Sequence, residues 1–534
     1  MRSAALLFCS VAPLFTAGRV HAIEASGRDE SIVRVADAVD RAIAASWPSD
    51  ASPAPIADDA TFLRRVWLDV VGDIPTPEHL VAFEFDRSSD KRRRVVQGLL
   101  GDEHYGLNWA RYWRDVILAR RLEPRAITAE PALVADLANW LNVNEGWDAV
   151  ATRFITATGD VRENGAAALI FAQDGRTEEI AAEASRIFLG MQIQCAQCHD
   201  HPYDSWKREQ FHELAAFFPR VAVRPVQSAT RRSFSVFGSD RAGRGRGDEG
   251  RRPELEHHMP DLDDPQATGR QMQPRFFLTG ATVSIGTSDE ERRQVLSRYF
   301  SKNVWFANSV VNRMWMELVG AGFYEPVDDM GPERSSSAPE ALEILAEGFA
   351  ENQFELKWLV ETICATEAYQ RESRPRRESG VAPFLANVPQ PLRADQLLNA
   401  VMSAVDLADL PGERRGVRRT GFRASFGEPF AFDPSEARCD VGSSLPQELY
   451  LMNSPELNRL IDGRRRSWLG ALQREYEDPS ELIREVYLRV LTRLPDSAEE
   501  AELLAYFAAE ETTAESLQDL AWALLNSAEF RYRR

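Results

Sequence analysis

Cys195-Ala-Gln-Cys198-His199 is the stretch of this chain with the clearest chemistry in it. Two thiols three residues apart can add to the two vinyl groups of a porphyrin while the adjoining imidazole reaches the iron from one face, the spacing of c-type haem attachment. On that reading Cys195 and Cys198 are the attachment points and His199 is the axial ligand of haem c. His201 lies only two residues further on, so chain geometry keeps it from the opposite face of the iron. That position is left to His212, His258 or Met259, or it stays open. The same atoms admit two other chemistries. Cys195 and Cys198 with His201 or His212 make a thiolate/imidazole set for Zn or Fe, because Cys-x-x-Cys lays two sulfurs along one tetrahedral edge. Alternatively the two cysteines close as a disulfide.

Haem of this kind is attached after export, and the N-terminus reads as an export signal. Met1-Arg2 is a short cationic start, residues 4–18 carry no charge, and Val20-His21-Ala22 offers small residues to a signal peptidase. Residues 1–22 are therefore expected to be removed after Ala22, leaving a periplasmic or secreted product. No later uncharged run reaches the ~20 residues needed to cross a bilayer, so no membrane span is expected after cleavage. A net charge of −19 over 534 residues disfavours nucleic acid and anionic membranes as partners.

The elements around the motif read as helices, and the expected class is mainly α, a helical multi-domain protein with a few short strands near the connection between domains. Residues 27–219 form an N-terminal helical domain that carries the motif, 220–280 a loop-rich connection and 281–534 a C-terminal helical domain. Residues 27–60 suit a short leading helix and a loop. From Phe62 apolar residues recur at three-to-four spacing, and Thr76-Pro77-Glu78 supplies an N-cap, a first-turn proline and an acid on the helix dipole. Gly190 and Gly320 stand where helices should stop, and Ser288 with Glu291 makes a capping box. Trp109, Tyr112 and Trp113 at helical spacing read as core rather than as a sugar platform. Phe276-Phe-Leu278 and Ala281 to Ile285 read as short strands, Asp328-Asp329 as an acidic turn at a helix start, and Cys364 with Cys439 as a candidate disulfide.

An internal echo recurs in the chain. Val66-Trp-Leu68, Val70, Ile74 and Pro75 align with Val486-Tyr-Leu488, Val490, Leu494 and Pro495. Each corner is followed by a second motif, Leu99-Leu100 to His104-Tyr105 and Leu524-Leu525 to Glu529-Phe530, with a third version from Ile363-Cys364 to Ala368-Tyr369. The copies are too few for a solenoid and read as a reused helical packing unit.

Residues 63–72 with Pro75-Thr-Pro77, His104-Tyr-Gly106, Trp109-Ala-Arg111 and Trp113, then Phe188-Leu-Gly190 and Cys195-Ala-Gln-Cys-His-Asp-His-Pro202 with Trp206, resemble the planctomycete cytochrome-c-like domain of unknown function. Asn312-Arg-Met-Trp315, Gly320 to Gly322, Asp328-Asp-Met330, Arg393-Ala-Asp-Gln396 and Leu445-Pro-Gln with Met452-Asn-Ser454 resemble its usual C-terminal partner domain. The resemblance implies an exported protein, haem c on Cys195, Cys198 and His199, and association with sulfatase-like exported proteins. It extends through Asp200-His201-Pro202, which bare haem attachment does not need, and departs at Ser337-Ala338-Pro339, where a histidine is expected before the proline. No Gly-x-Ser-x-Gly, His-Glu-x-x-His or phosphate-cradling glycine loop is present. The expected function is a haem-dependent electron carrier or redox component working with a redox partner protein. The alternative is a secreted binding or scaffold protein for polysaccharide or sulfated-glycan processing, with the Cys/His cluster holding a structural metal or disulfide.

Overall fold

Helices dominate because the apolar residues repeat at helical spacing between well-capped ends. The protein, a computed structural model, is described for residues 19–227, 232–240, 255–264, 266–376, 382–407, 423, 426–441, 444–461, 467–510 and 512–534. The apolar stretch before Arg19 lies outside the described residues. No described helix is long and apolar enough to cross a membrane. The leading helix, Arg19–Ala45, is much longer than the sequence pattern suggested. Ile32, Val39 and Ile43 on its inner face are buried in the main core.

That core is one continuous apolar cluster drawing on residues from Ile32 to Phe384, on both sides of the 220–280 segment. At its centre Trp113, from the Glu103–Leu118 helix, packs its ring 4.1 Å from that of Trp147. Trp109 and Tyr112 are buried beside it, as their spacing implied. A second core gathers residues between Leu392 and Phe530 around Leu68 and Ile74 of the first corner.

The two echoing corners share their local geometry. The Asp59–Val70 helix ends before Gly72 at φ +74°, and the Pro479–Leu491 helix ends at Thr492 at φ +60°, the aligned position. Thr76 and Asp496 then cap the Pro77–Phe85 and Ser497–Ala509 helices. A Cβ on Gly72 would fall 2.6 Å from Asn108 Oδ1, so glycine serves both the left-handed turn and the close approach. The corners also meet, since Arg64 donates to the Val490 carbonyl (2.9 Å) and to Thr492 Oγ1 (3.0 Å). The second motif follows one pattern as well. Asp102, Thr366 and Ser527 are N-caps, and the aromatic three residues on, Tyr105, Tyr369 or Phe530, is buried.

The end of the chain closes both cores. Tyr532–Arg533 pairs antiparallel with Gln390–Pro391. The Arg533 side chain, 1% exposed, bonds Asp69 and Asn387 Oδ1, each within 2.9 Å. Arg65 donates from Nε to the Arg534 carbonyl at 2.8 Å.

Four expectations are corrected. The 220–280 segment carries a hairpin, Val221–Gln227 with Arg232–Gly238, which Gly159–Asp160 extends to three antiparallel strands. Val236 is buried and Phe234 stacks on Phe171 at 4.9 Å, a period-two pattern that the surrounding Arg, Gly and Ser had masked. His258–Met259 also pairs with Arg270–Gln271. Phe276-Phe-Leu278 is a turn instead of a strand, because Gly280 N returns to the Phe276 carbonyl (2.8 Å) while both phenylalanines anchor in the core. Cys364 and Cys439 are both free, Cys364 buried in the Leu356–Ala365 helix and the Cys439 thiol donating to the Gly320 carbonyl. Asp328-Asp329 starts no helix, since the next one is Pro339–Glu351.

Candidate functional site

The Cys195–His199 turn is held at the exit of a buried helix. Thr177–Leu189 stops at Gly190, at φ +67°, where a Cβ would sit 2.7 Å from Met330 Sδ. Met330 N donates to the Gly190 carbonyl (2.8 Å), tying the exit to residues 328–330. Met191 and Ile193 are buried, and Ala196 N bonds the Ile193 carbonyl to open a 3-10 turn, Gln194–Gln197. Ala196, fully buried, is the peg of this turn. Its tight winding turns Cys195 and Cys198 outward, exposed and unbonded.

His199 is exposed, with Nδ1 2.7 Å from the Asp200 carbonyl. A carbonyl only accepts, so Nδ1 carries a proton and Nε2 is the ring nitrogen this bond leaves unused. The Asp200 carboxylate accepts from the Arg208 backbone and from Lys207 Nζ, both at 3.0 Å, and these bonds hold it below the usual carboxylate range. His201 is folded into its own turn, its N–H donating to the Trp206 carbonyl (2.8 Å) and its Nδ1 accepting from Tyr203 N.

His212, on the Arg208–Ala215 helix, backs the turn from inside. Its Nε2 donates to the Gln197 carbonyl (3.0 Å), and His257 Nε2 lies 2.8 Å from its Nδ1 with the rings stacked. Because Nε2 of His212 is the donor, Nδ1 accepts and His257 Nε2–H donates. Both His212 nitrogens are thus engaged. Among the described residues no three His, Cys, Asp or Glu groups come together as a metal site. The Cys195, Cys198, His201 and His212 set therefore does not converge, His201 and His212 being held by backbone and by His257.

Burial holds the His212 ring at about 4; burial and the neighbouring His258 do the same for His257. The unfolded chain, with histidines near 6.5, binds more protons between pH 6.5 and 4, so stability from this pair is complete above 6.5 and is lost as pH falls towards 4. The stability gap between the native chain and a His257→Gln variant is expected to shrink across that window when both are unfolded in urea. A gap that stays constant from pH 7 to 4.5 would contradict a neutral histidine pair.

Sequence reasoning missed the group that anchors the turn. Asp328, fully buried, accepts from Gln192 Nε2 (2.7 Å), Arg186 Nη1 (3.0 Å), Arg313 Nη2 (3.4 Å) and Ser435 Oγ (2.6 Å). Burial alone would raise its carboxyl, but Arg313 and Arg186 outweigh burial and hold it at about 2. Arg186 is shared with Glu183 (2.6 Å) and the Val116 carbonyl (2.7 Å). Only the acidic pair Asp328-Asp329 hinted at this hub, whose partners come from four separate segments.

This architecture coincides with two recognised sequence families. Residues 38–223, which include the turn, match the family described as PSCyt2, protein of unknown function (DUF1549). Residues 292–420, which include Arg313 and Asp328, match the one described as PSD1, protein of unknown function (DUF1553). The two matches follow one another in that order along the chain. No curated protein and no solved structure gives a significant match.

Proposed function

We propose that the chain is an exported electron-transfer or redox component that carries haem c on Cys195 and Cys198, with His199 as the axial ligand. The carrying observation is the protonation geometry of His199: with Nδ1–H given to the Asp200 carbonyl, Nε2 is the nitrogen left for a metal, the arrangement found for histidine ligands in general. The rest of the set fits the group, since both thiols are free, exposed and on one short turn. Bound there, the haem would supply a one-electron couple at the protein surface. The protein's part is to present the two thiols, orient the imidazole and keep the turn rigid through Ala196, Gln192 and the Gln197 carbonyl. A partner protein would approach over the exposed face that carries Tyr203.

A second reading is favoured by the exposure of both thiols: a secreted scaffold protein in glycan processing whose Cys195 and Cys198 close as a disulfide. The two separate in one preparation, exported from a host with cytochrome c maturation machinery. The haem reading expects an N-terminus at Ile23, a c-type reduced band in alkaline pyridine and a mass increase of one haem, all but the first abolished in Cys198→Ala. Colourless protein of apoprotein mass, from a host that matures a control cytochrome, overturns it. A mass two hydrogens below the dithiol form would then support the disulfide.

A further inference from the structure

A groove of about 420 Å³ lies between the start of the Val304–Val319 helix and the Pro339–Glu351 helix. Every residue lining it falls in the unbroken described stretch 266–376. Ala307, Leu342 and Ala346, all buried, close its floor. What it offers to a ligand is Val304, 60% exposed, with exposed Pro339 and Ala350 and half-buried Tyr324 and Phe354. The two aromatics are held in place. Phe354 packs edge-on to Phe306 and Phe349 at 5.4 and 5.5 Å, its N donating to the Phe349 carbonyl (3.0 Å), and Tyr324 N donates to Asn312 Oδ1 (3.0 Å).

One lip of the groove is a row of acids. Glu340, Glu343, Glu347 and Glu351 recur at three-to-four spacing along the Pro339–Glu351 helix, which contains no Lys or Arg. All four are exposed, and their carboxylates make no ion pair or hydrogen bond among the described residues. Like charges at i, i+4 and an acid in the last turn both cost a helix stability. Acids on other helices of this chain are matched, Asp289 by Arg293, Glu485 by Arg489 and Glu499 by Arg493. The only cation lining the groove is Lys302, on the opposite lip, and it pairs with none of the four. A helix that keeps such a row beside an apolar groove departs from local stability, as surfaces held for a partner do.

We infer that this groove seats a basic amphipathic helix of another protein. The apolar face of that helix lies against Val304, Tyr324 and Phe354, and its Lys or Arg side chains follow the glutamates. From Glu340 to Glu351 the row is about 17 Å long at the helical rise, a span that suits a second helix rather than a small molecule. A net charge of −19 opposes a second copy of the chain as the occupant. The groove shares no lining residue with the Cys195–His199 turn and is independent of the haem reading.

Fluorescence anisotropy of labelled synthetic peptides with the full-length protein at physiological salt tests this. The probe is a helical peptide of leucine and lysine with leucines at i, i+3, i+4 and i+7; the controls are the same composition in scrambled order and the ordered peptide with glutamate for lysine. The ordered basic peptide is expected to bind saturably, one per chain, about tenfold or more tighter than either control. Its affinity should fall by about tenfold or more when Glu343→Lys and Glu347→Lys are combined, and again in Val304→Asp. Absence of saturable binding, equal binding of the scrambled peptide, or affinity unchanged by both variants overturns the proposal. Self-association of the unmutated chain that Val304→Asp abolishes overturns it in favour of a second copy. If the variants fail to fold, a photoreactive group on the leucine face of the ordered peptide decides with the unmutated protein: labelling within residues 301–354 supports the groove, and labelling elsewhere overturns it.

Discussion

Asp328→Ala is expected to lose about 3–5 kcal/mol of folding stability, because it leaves Arg186 and Arg313 buried without their shared carboxylate. Gln192, three residues before Cys195, loses its acceptor in the same stroke, so the thiols of the turn should become more reactive towards a maleimide at equal denaturant. Asp328→Asn should lose less, since the amide oxygen still accepts. Urea unfolding of the three proteins checks this, and an alanine loss below about 1 kcal/mol would remove Asp328 as the anchor of the turn. The pH behaviour has a definite sign. With the carboxyl at about 2 in the folded state and near 3.8 unfolded, its contribution is complete above 3.8 and disappears as pH falls through 2.

A loss of similar size, about 3–5 kcal/mol, is expected for Asp69→Ala, which strands Arg533 in the core. Asp69 also accepts from the Tyr369 hydroxyl at 2.9 Å, so the change breaks the contact among the first corner, the third aromatic motif and the chain end together. Removing both charges as Asp69→Leu with Arg533→Met should recover part of the loss, because two apolar side chains avoid the uncompensated charge. Unfolding free energies of the native chain, Asp69→Leu, Arg533→Met and the double variant form a thermodynamic cycle. Strictly additive losses would show that the pair does not act as a unit.

What could be seen in the sequence is what local physics encodes. Gly190 and Gly320 stop helices because left-handed backbone favours glycine, and Ser288 caps by accepting from Glu291 N. The echo between residues 66 and 486 was legible for the same reason, since each corner is built from short-range caps. The Asp328 hub was not, because its partners lie up to 142 residues away and any buried carboxylate looks like a surface one in isolation. The hairpin at 221–238 was hidden by composition, its few inward residues being outnumbered by arginine and serine. His212 offered itself as a ligand by type alone, and its neighbours His257 and Gln197 decided otherwise.

The bond from Arg65 to the Arg534 carbonyl spans 469 positions of the chain, and Arg533 to Asp69 spans 464. During synthesis the first corner therefore waits for residues that have not yet been joined to the polypeptide. A nascent chain emerging from the ribosome exposes Asp69 and Arg65 without their partners until residues 533 and 534 have been added, and contacts of such separation are the slow ones in folding. Completion of the first corner therefore requires that residues 533 and 534 have been made and brought back to it.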